Sequence, residues 1–232
     1  MHLWIISKLL NFLLLINVFL ILFSLYNIGF LDKVHNSVVE EEVLVEPMPS
    51  ISNVPTFQLE NKVSDFLNLM ISNTDIVIPI VQGSDNSYYL SHASTGKENK
   101  MGTPFLDYRN HLDDQKLLIY GHNSRTLKTE FHILEEYLNP SFFKEHPILI
   151  LKGKDFTYHY QIFSILIITD DFQHMKLGMN HEEYQNHLKW LRSHSIYNTF
   201  VDIHGDDDIL VLQTCYYQPK DSYLLVVSKK LK

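Results

Sequence analysis

Residues 208–231 read DILVLQTCYYQPKDSYLLVVSKKL. Two apolar runs stand in this stretch, DILVLQTC (208–215) and SYLLVVSKKL (222–231), and each reads as a β-strand. Working outward, ILILKG (148–153) and FTYHYQIFSILIIT (156–169) read the same way. KLLIYGH (116–122) is an apolar strand ending near Gly121, and IVIPIV (76–81) is a β-branched run in which Pro79 marks an edge strand or a bulge. A surface helix is predicted over 180–193, where Tyr184, Leu188, Trp190 and Leu191 are set into a polar stretch. Shorter helices are predicted over 129–138, from Phe131, Leu134 and Leu138, and over 63–71, from Val63, Phe66, Leu67, Met70 and Ile71. Strands dominate, with one substantial helix between two late strands. An all-β barrel with helical insertions therefore fits better than alternating βαβ units.

Composition narrows the function. The chain has 232 residues, 45% of them hydrophobic and 20% charged, which is the profile of a globular protein with room for one ordinary domain. Lys plus Arg is 19 against 27 Asp plus Glu, a net charge of −8, so a basic face for nucleic acid is not expected. The single cysteine, Cys215, excludes an internal disulfide, an all-cysteine zinc site and a CxxC redox pair. There is no HExxH, and His181 and His187 are not spaced to share a helical face, so no metal is expected.

The amino-terminal part reads differently. Lys8 is the only charged side chain before Asp32, and the uncharged run 9–31 is 23 residues long. At about 1.5 Å per residue it exceeds the ~30 Å hydrocarbon core of a bilayer. The run is longer than a signal-peptide core and no A-x-A site follows it, so residues 1–31 read as an uncleaved transmembrane anchor; a cleaved signal and a buried helix are the competing readings. With Lys8 before the span and Glu40, Glu41 and Glu42 after it, the expected orientation is N-terminus cytoplasmic and the rest outside the cell. Residues 32–58, with Pro47, Pro49 and Pro55, read as an extended linker, and 59–232 as the folded domain. In an oxidising compartment a lone thiol is a nucleophile, an intermolecular bridge or a buried bystander.

Two positions are candidates for chemistry. His122 follows a strand in Gly121-His122-Asn123, and Cys215 ends one in Leu212-Gln213-Thr214-Cys215. Sites are commonly built where strands meet loops, and a thiol with an imidazole is the minimum for thiol nucleophilic catalysis. From position alone, the same residues also read as one histidine among 13 and a small packed hydrophobe.

Five blocks carry a family resemblance: IPIVQGSDNSYYL (78–90), GTPFLDYRN (102–110), LLIYGHN (117–123), FHILEEYLNPSFFKEHP (131–147) and LQTCYY (212–217). In order and spacing, over roughly residues 66–231, they resemble the class B sortases, membrane-anchored cysteine transpeptidases of Gram-positive bacteria. The helix over 180–193 also sits where class B members carry an extra helix before the cysteine strand. The resemblance implies a mainly β fold, a closed barrel of about eight strands with peripheral helices, behind one N-terminal transmembrane helix. It implies cleavage of a C-terminal sorting signal, of the NPxTx or (S/P)PxTG kind, with transfer of the acyl group to an amine on peptidoglycan or a pilin. Partners would then be sorting-signal-bearing surface proteins and that amine, and no cofactor is implied. Cys215 would be the nucleophile and His122 the general acid/base.

One family element has no counterpart. Class B members place an arginine about eight to ten residues after the cysteine, where this chain has Tyr223, Leu224 and Leu225, and no arginine follows Arg192. Three readings stay open. The Tyr223 phenol donates in its place, Lys220 supplies charge, or the protein binds sorting signals without turning them over. The resemblance places Asn86, Tyr120, Gln213 and Thr214 at the substrate. Tyr120 also reads as core packing and Asn86 as an ordinary turn residue. The family's N-terminal helical region is expected to be shortened to the one helix near 63–71.

Overall fold

A computed structural model of the chain describes residues 67–127, 129–169 and 172–232. Eight strands are present: β1 (Leu67–Ile71), β2 (Val77–Gln82), β3 (Phe105–Leu106), β4 (Lys116–Gly121), β5 (Ile148–Lys152), β6 (Thr157–Ile168), β7 (Ile209–Tyr216) and β8 (Ser222–Lys230). They close into a barrel in the order β1-β2-β3-β4-β7-β8-β6-β5, with β5 returning to β1. The β2–β3 and β4–β7 pairs are parallel and the others antiparallel. Closure removes the open edges that would otherwise invite aggregation.

The helices lie between strands, as the sequence predicts for two of three. Helix α1 (Pro140–Glu145) follows a 3-10 helix, Glu130–Leu138, and starts with proline at its first turn, where no N–H is needed. Helix α2 (His181–Ser193) is fixed at its start by a capping box. The Asn180 side chain accepts from the Glu183 N–H, and the Glu183 carboxylate accepts from the Asn180 N–H.

The helix predicted over 63–71 is corrected. Residues 63–66 lie outside the described residues, and Leu67–Ile71 is strand β1. Leu67, Leu69 and Ile71 are buried while Asn68 and Met70 are only partly so, a period of two that outweighs the looser helical spacing. Pairing with β2 and β5 then supplies the ladder bonds. Pro79 sits opposite Asn68 of β1, and β3 reaches only Val81 and Gln82, so the proline occupies a stretch of β2 paired on one side.

Two apolar layers follow from strand alternation. Leu117 and Ile119 of β4, Leu210 and Leu212 of β7, and Leu224 and Val226 of β8 face the barrel interior, with Phe131, Leu134 and Tyr137. Leu118 and Tyr120, Ile209 and Val211, and Leu225 and Val227 face outward into a second layer under Tyr184, Leu188 and Leu191 of α2. The site is built on this outward face. Among the described residues no helix is long and apolar enough to cross a membrane. The anchor read over 1–31 and the linker over 32–58 lie outside the described residues.

Candidate active site

Register brings the candidate residues together. In the parallel pair of β4 and β7, Tyr120 stands beside Gln213 and Gly121 beside Thr214. His122 directly follows the end of β4 and Cys215 directly follows Thr214 in β7, so continuing this register by one step brings His122 level with Cys215. On the other side of β7, Cys215 is paired with Tyr223 of β8 and Gln213 with Leu225. His122, Cys215 and Tyr223 share the outward parity of Tyr120, Gln213 and Leu225. All three are partly exposed.

The imidazole is held by the backbone of a distant loop. His122 Nε2 lies 2.7 Å from the Leu90 carbonyl oxygen. A carbonyl only accepts, so Nε2 carries a proton in this bond and Nδ1 is the nitrogen outside it. Gly102 makes the approach possible. Its φ is +63°, and a Cβ there would lie 2.9 Å from the Leu90 oxygen and 3.0 Å from His122 Cδ2. Gly121, just before the histidine, is required for a different reason: a Cβ there would come 2.4 Å from the Phe131 ring.

The thiol is half-buried, and burial pushes Cys215 above its ordinary pKa. Asn123 clamps the backbone at this point. Its Nδ2 donates to the Cys215 carbonyl at 3.1 Å and to the Glu135 carboxylate, and its Oδ1 lies 2.9 Å from His132 Nδ1. Tyr217 donates its hydroxyl to the Asn123 carbonyl at 2.7 Å, and Arg125 Nη2 donates to the Tyr217 carbonyl at 2.9 Å.

The other positions named from the sequence are placed as follows. Tyr120 is 8% exposed and donates its hydroxyl to Asp107 Oδ2 at 2.9 Å. Asn86 donates to the same oxygen at 3.0 Å and accepts from the Tyr108 N–H at 3.0 Å. The Gln213 Oε1 accepts from His174 Nε2 at 2.6 Å. Thr214 is buried on the interior face, where its hydroxyl donates to the Gly121 carbonyl at 2.8 Å and ties β7 to β4. Tyr223 packs edge-on against Phe172, with ring centroids 5.8 Å apart. Lys220 is almost fully exposed on the β7–β8 connection, 3.8 Å from Asp221.

Sequence reading passed over Asp107 and Arg109, although both stand in a quoted block. Asp107 is fully buried. Burial alone would raise its pKa, but hydrogen bonds from Arg109, Tyr120 and Asn86 outweigh this and hold it at about 2. A carboxylate in an otherwise apolar run, two residues before an arginine, was the available signal. Lys116 was also passed over. Its ammonium is buried and donates to the carbonyls of His174 and Lys176 at 2.7 and 2.9 Å, with His187 Nε2 at 2.8 Å. It thereby fastens the β6–β7 connection over the outward face. Among the described residues no group of three or more His, Cys, Asp or Glu is gathered as for a metal ion.

The geometry can be set beside known proteins. The model of the sortase domain family matches residues 69–231. Sortase B of Listeria monocytogenes is 32% identical over 150 residues, 63% of this chain and 61% of that protein. This chain therefore spans about three fifths of that relative's length. Sortase B of Staphylococcus aureus is 30% identical over 169 residues, 71% of this chain and 69% of that protein. Among solved structures, Clostridium perfringens sortase B superposes with a TM-score of 0.66 at 28% identity, covering 72% of this chain and 94% of that one.

Proposed function

The chain belongs to the sortase family, and from that premise we propose that it is a class B cysteine transpeptidase. In this reading it cleaves the C-terminal sorting signal of secreted proteins and transfers them to a cell-wall or pilin amine. The observation that supports it is the register of β4 and β7, whose last pair, Gly121 with Thr214, immediately precedes His122 and Cys215.

The steps follow from the residues. Cys215 rests as a thiol because burial disfavours its thiolate. On attack, its proton passes to His122 Nδ1 while Sγ bonds to the scissile carbonyl carbon and the carbonyl π pair moves to oxygen. Collapse restores the C=O, breaks the C–N bond and gives the His122 proton to the departing amine, leaving a thioester on Cys215. An incoming amine then attacks the thioester carbon as His122 takes its proton; collapse breaks the C–S bond, and His122 returns that proton to the departing Cys215 sulfur. Asp107 holds Tyr120 and Asn86 as one rigid wall of the face, with Gln213 and His174 beside it. The domain acts outside the cell, tethered by a single N-terminal span whose N-terminus is cytoplasmic.

A second reading rests on a specific observation. The residue paired with Cys215 across β7 and β8 is Tyr223, a neutral donor where a cation would stabilise an oxyanion better. A module so built binds sorting signals and turns them over poorly or not at all.

Intact-mass measurement on the folded domain, incubated with NPxTx and (S/P)PxTG peptides, separates the two. The transpeptidase gains the mass of the N-terminal peptide fragment and Cys215→Ala does not. Peptide binding without any adduct would leave the binding module as the account.

A further inference from the structure

Thiol attack on a carbonyl creates an oxyanion beside Cys215, and a charged donor to that oxygen is worth more than a neutral one. The chain has three arginines. Arg109 is bound by two of its nitrogens to the Asp107 carboxylate, which neutralises it. Arg192, in the last turn of α2, donates to the Val201 carbonyl. Lys220 extends into solvent beside Asp221.

Arg125 is placed differently. It lies three residues after His122, and its guanidinium carbon sits 4.7 Å from the centre of the Tyr217 ring, two residues after Cys215. Its Nη2 donates to the Tyr217 carbonyl at 2.9 Å, which uses one of five N–H donors. The Tyr217 hydroxyl is tied to the Asn123 carbonyl, and the Asn123 amide to the Cys215 carbonyl. Cys215 and Arg125 both act electrostatically on the Tyr217 phenol, as does Glu135, whose carboxylate is taken by Asn123. Among the described residues no ion pair involves Arg125.

We infer that Arg125 supplies the positive charge of this active site, turning from its shelf on Tyr217 to donate to the oxyanion formed when Cys215 attacks the sorting signal. The inference rests on the transpeptidase reading for its catalytic part, but not for the placement of the charge. The C–S bond forms as the thiol proton passes to His122 and the carbonyl π pair moves to oxygen. The guanidinium donates two N–H bonds to that oxygen and gives up no proton, because arginine stays protonated.

The test uses Arg125→Gln in the full chain, with two readouts. The first is the rate of Cys215 alkylation by anionic iodoacetate relative to neutral iodoacetamide. A guanidinium near the thiolate favours the anion, so the ratio falls about threefold or more in Arg125→Gln, and less at high salt. The second is kcat/KM for a cleaved sorting-signal peptide, expected to fall about 10²-fold, with Arg125→Lys intermediate and Tyr223→Arg restoring activity in the Arg125→Gln background. An unchanged alkylation ratio overturns the placement of the charge. A lowered ratio with kcat/KM within twofold of the parent overturns the catalytic role. Absence of acylation in the parent protein counts against the transpeptidase reading, and the alkylation ratio still decides where the charge lies.

Discussion

Cys215 and Tyr223 are directly opposed across the antiparallel pair of β7 and β8, on the outward face that also carries His122. Directly opposed side chains on one face are neighbours at about 4.5–5.5 Å between Cβ atoms. Whatever residue stands at 223 therefore borders the thiol. Here it is a phenol packed on Phe172.

An arginine at this position would bring a planar, charged donor to the reacting carbonyl. Tyr223→Arg is expected to raise kcat/KM for the best sorting-signal peptide by roughly tenfold, part of the 10²–10³ that one oxyanion donor is worth. Steady-state kinetics on the single variant decides it, and a decrease would show that the Tyr223–Phe172 packing matters more than the added charge.

His122 is held through the Leu90 carbonyl, and Gly102 is the residue that lets that carbonyl and the imidazole meet. Gly102→Ala adds a Cβ against both and strains a left-handed backbone. The expected result is a fall in kcat of roughly ten- to a hundredfold with little change in KM, since orientation and not binding is lost. A KM effect alone would place Gly102 in substrate binding.

Burial raises the Cys215 thiol above its ordinary range. Alkylation by iodoacetamide should accordingly reach half its maximal rate at a pH above that of an exposed cysteine peptide measured in parallel. A midpoint below the peptide's would mean that the free protein already holds a thiolate–imidazolium pair.

Asn123 is buried and holds the Cys215 carbonyl, His132 and Glu135 at once. Asn123→Ala strands these partners and should destabilise the domain by about 1–3 kcal/mol, read from urea unfolding. Asn123→Asp keeps the shape but removes both amide donors and adds charge next to Glu135. It is expected to be at least as damaging.

Lys116 carries a pH signature. Burial first, and then the Arg109 charge, push its pKa down to about 7. The unfolded chain binds the proton up to about 10.4, so between these values the folded state holds fewer protons and stability rises with pH. Raised Cys215 acts in the opposite sense above its unfolded pKa. In a Cys215→Ala background, Tm should climb by on the order of a few degrees from pH 7 to 10, and Lys116→Met should abolish that climb. His187, pushed down to about 3 by burial and then by Lys116, contributes stability that is present above about 6.5 and lost as pH falls toward 3.

Local sequence determined most of the strands. Runs such as 148–153, 156–169 and 208–215 are short or rich in β-branched and aromatic residues and carry no helix-period polar face, which favours strands. It also determined the polar, capped helix after Asn180, because a capping box is a contact among neighbours in the chain. It failed at Leu67–Ile71, where the apolar positions satisfied two periods and the choice lay with partners elsewhere in the chain, in β2 and β5.

Sequence likewise singled out Cys215 and His122 as residue types able to do thiol chemistry, and marked the tyrosine that stands where an arginine was expected. Tertiary structure alone decided the rest. The parallel β4–β7 register brought the residues just before the histidine and the cysteine together across 93 positions of chain, and the Leu90 carbonyl engaged Nε2 of the imidazole. Asp107 became a buried anchor and Arg125 came to rest on Tyr217. These outcomes depend on which strands lie next to one another when the barrel closes. That is a property of long-range packing, and no local spacing encodes it.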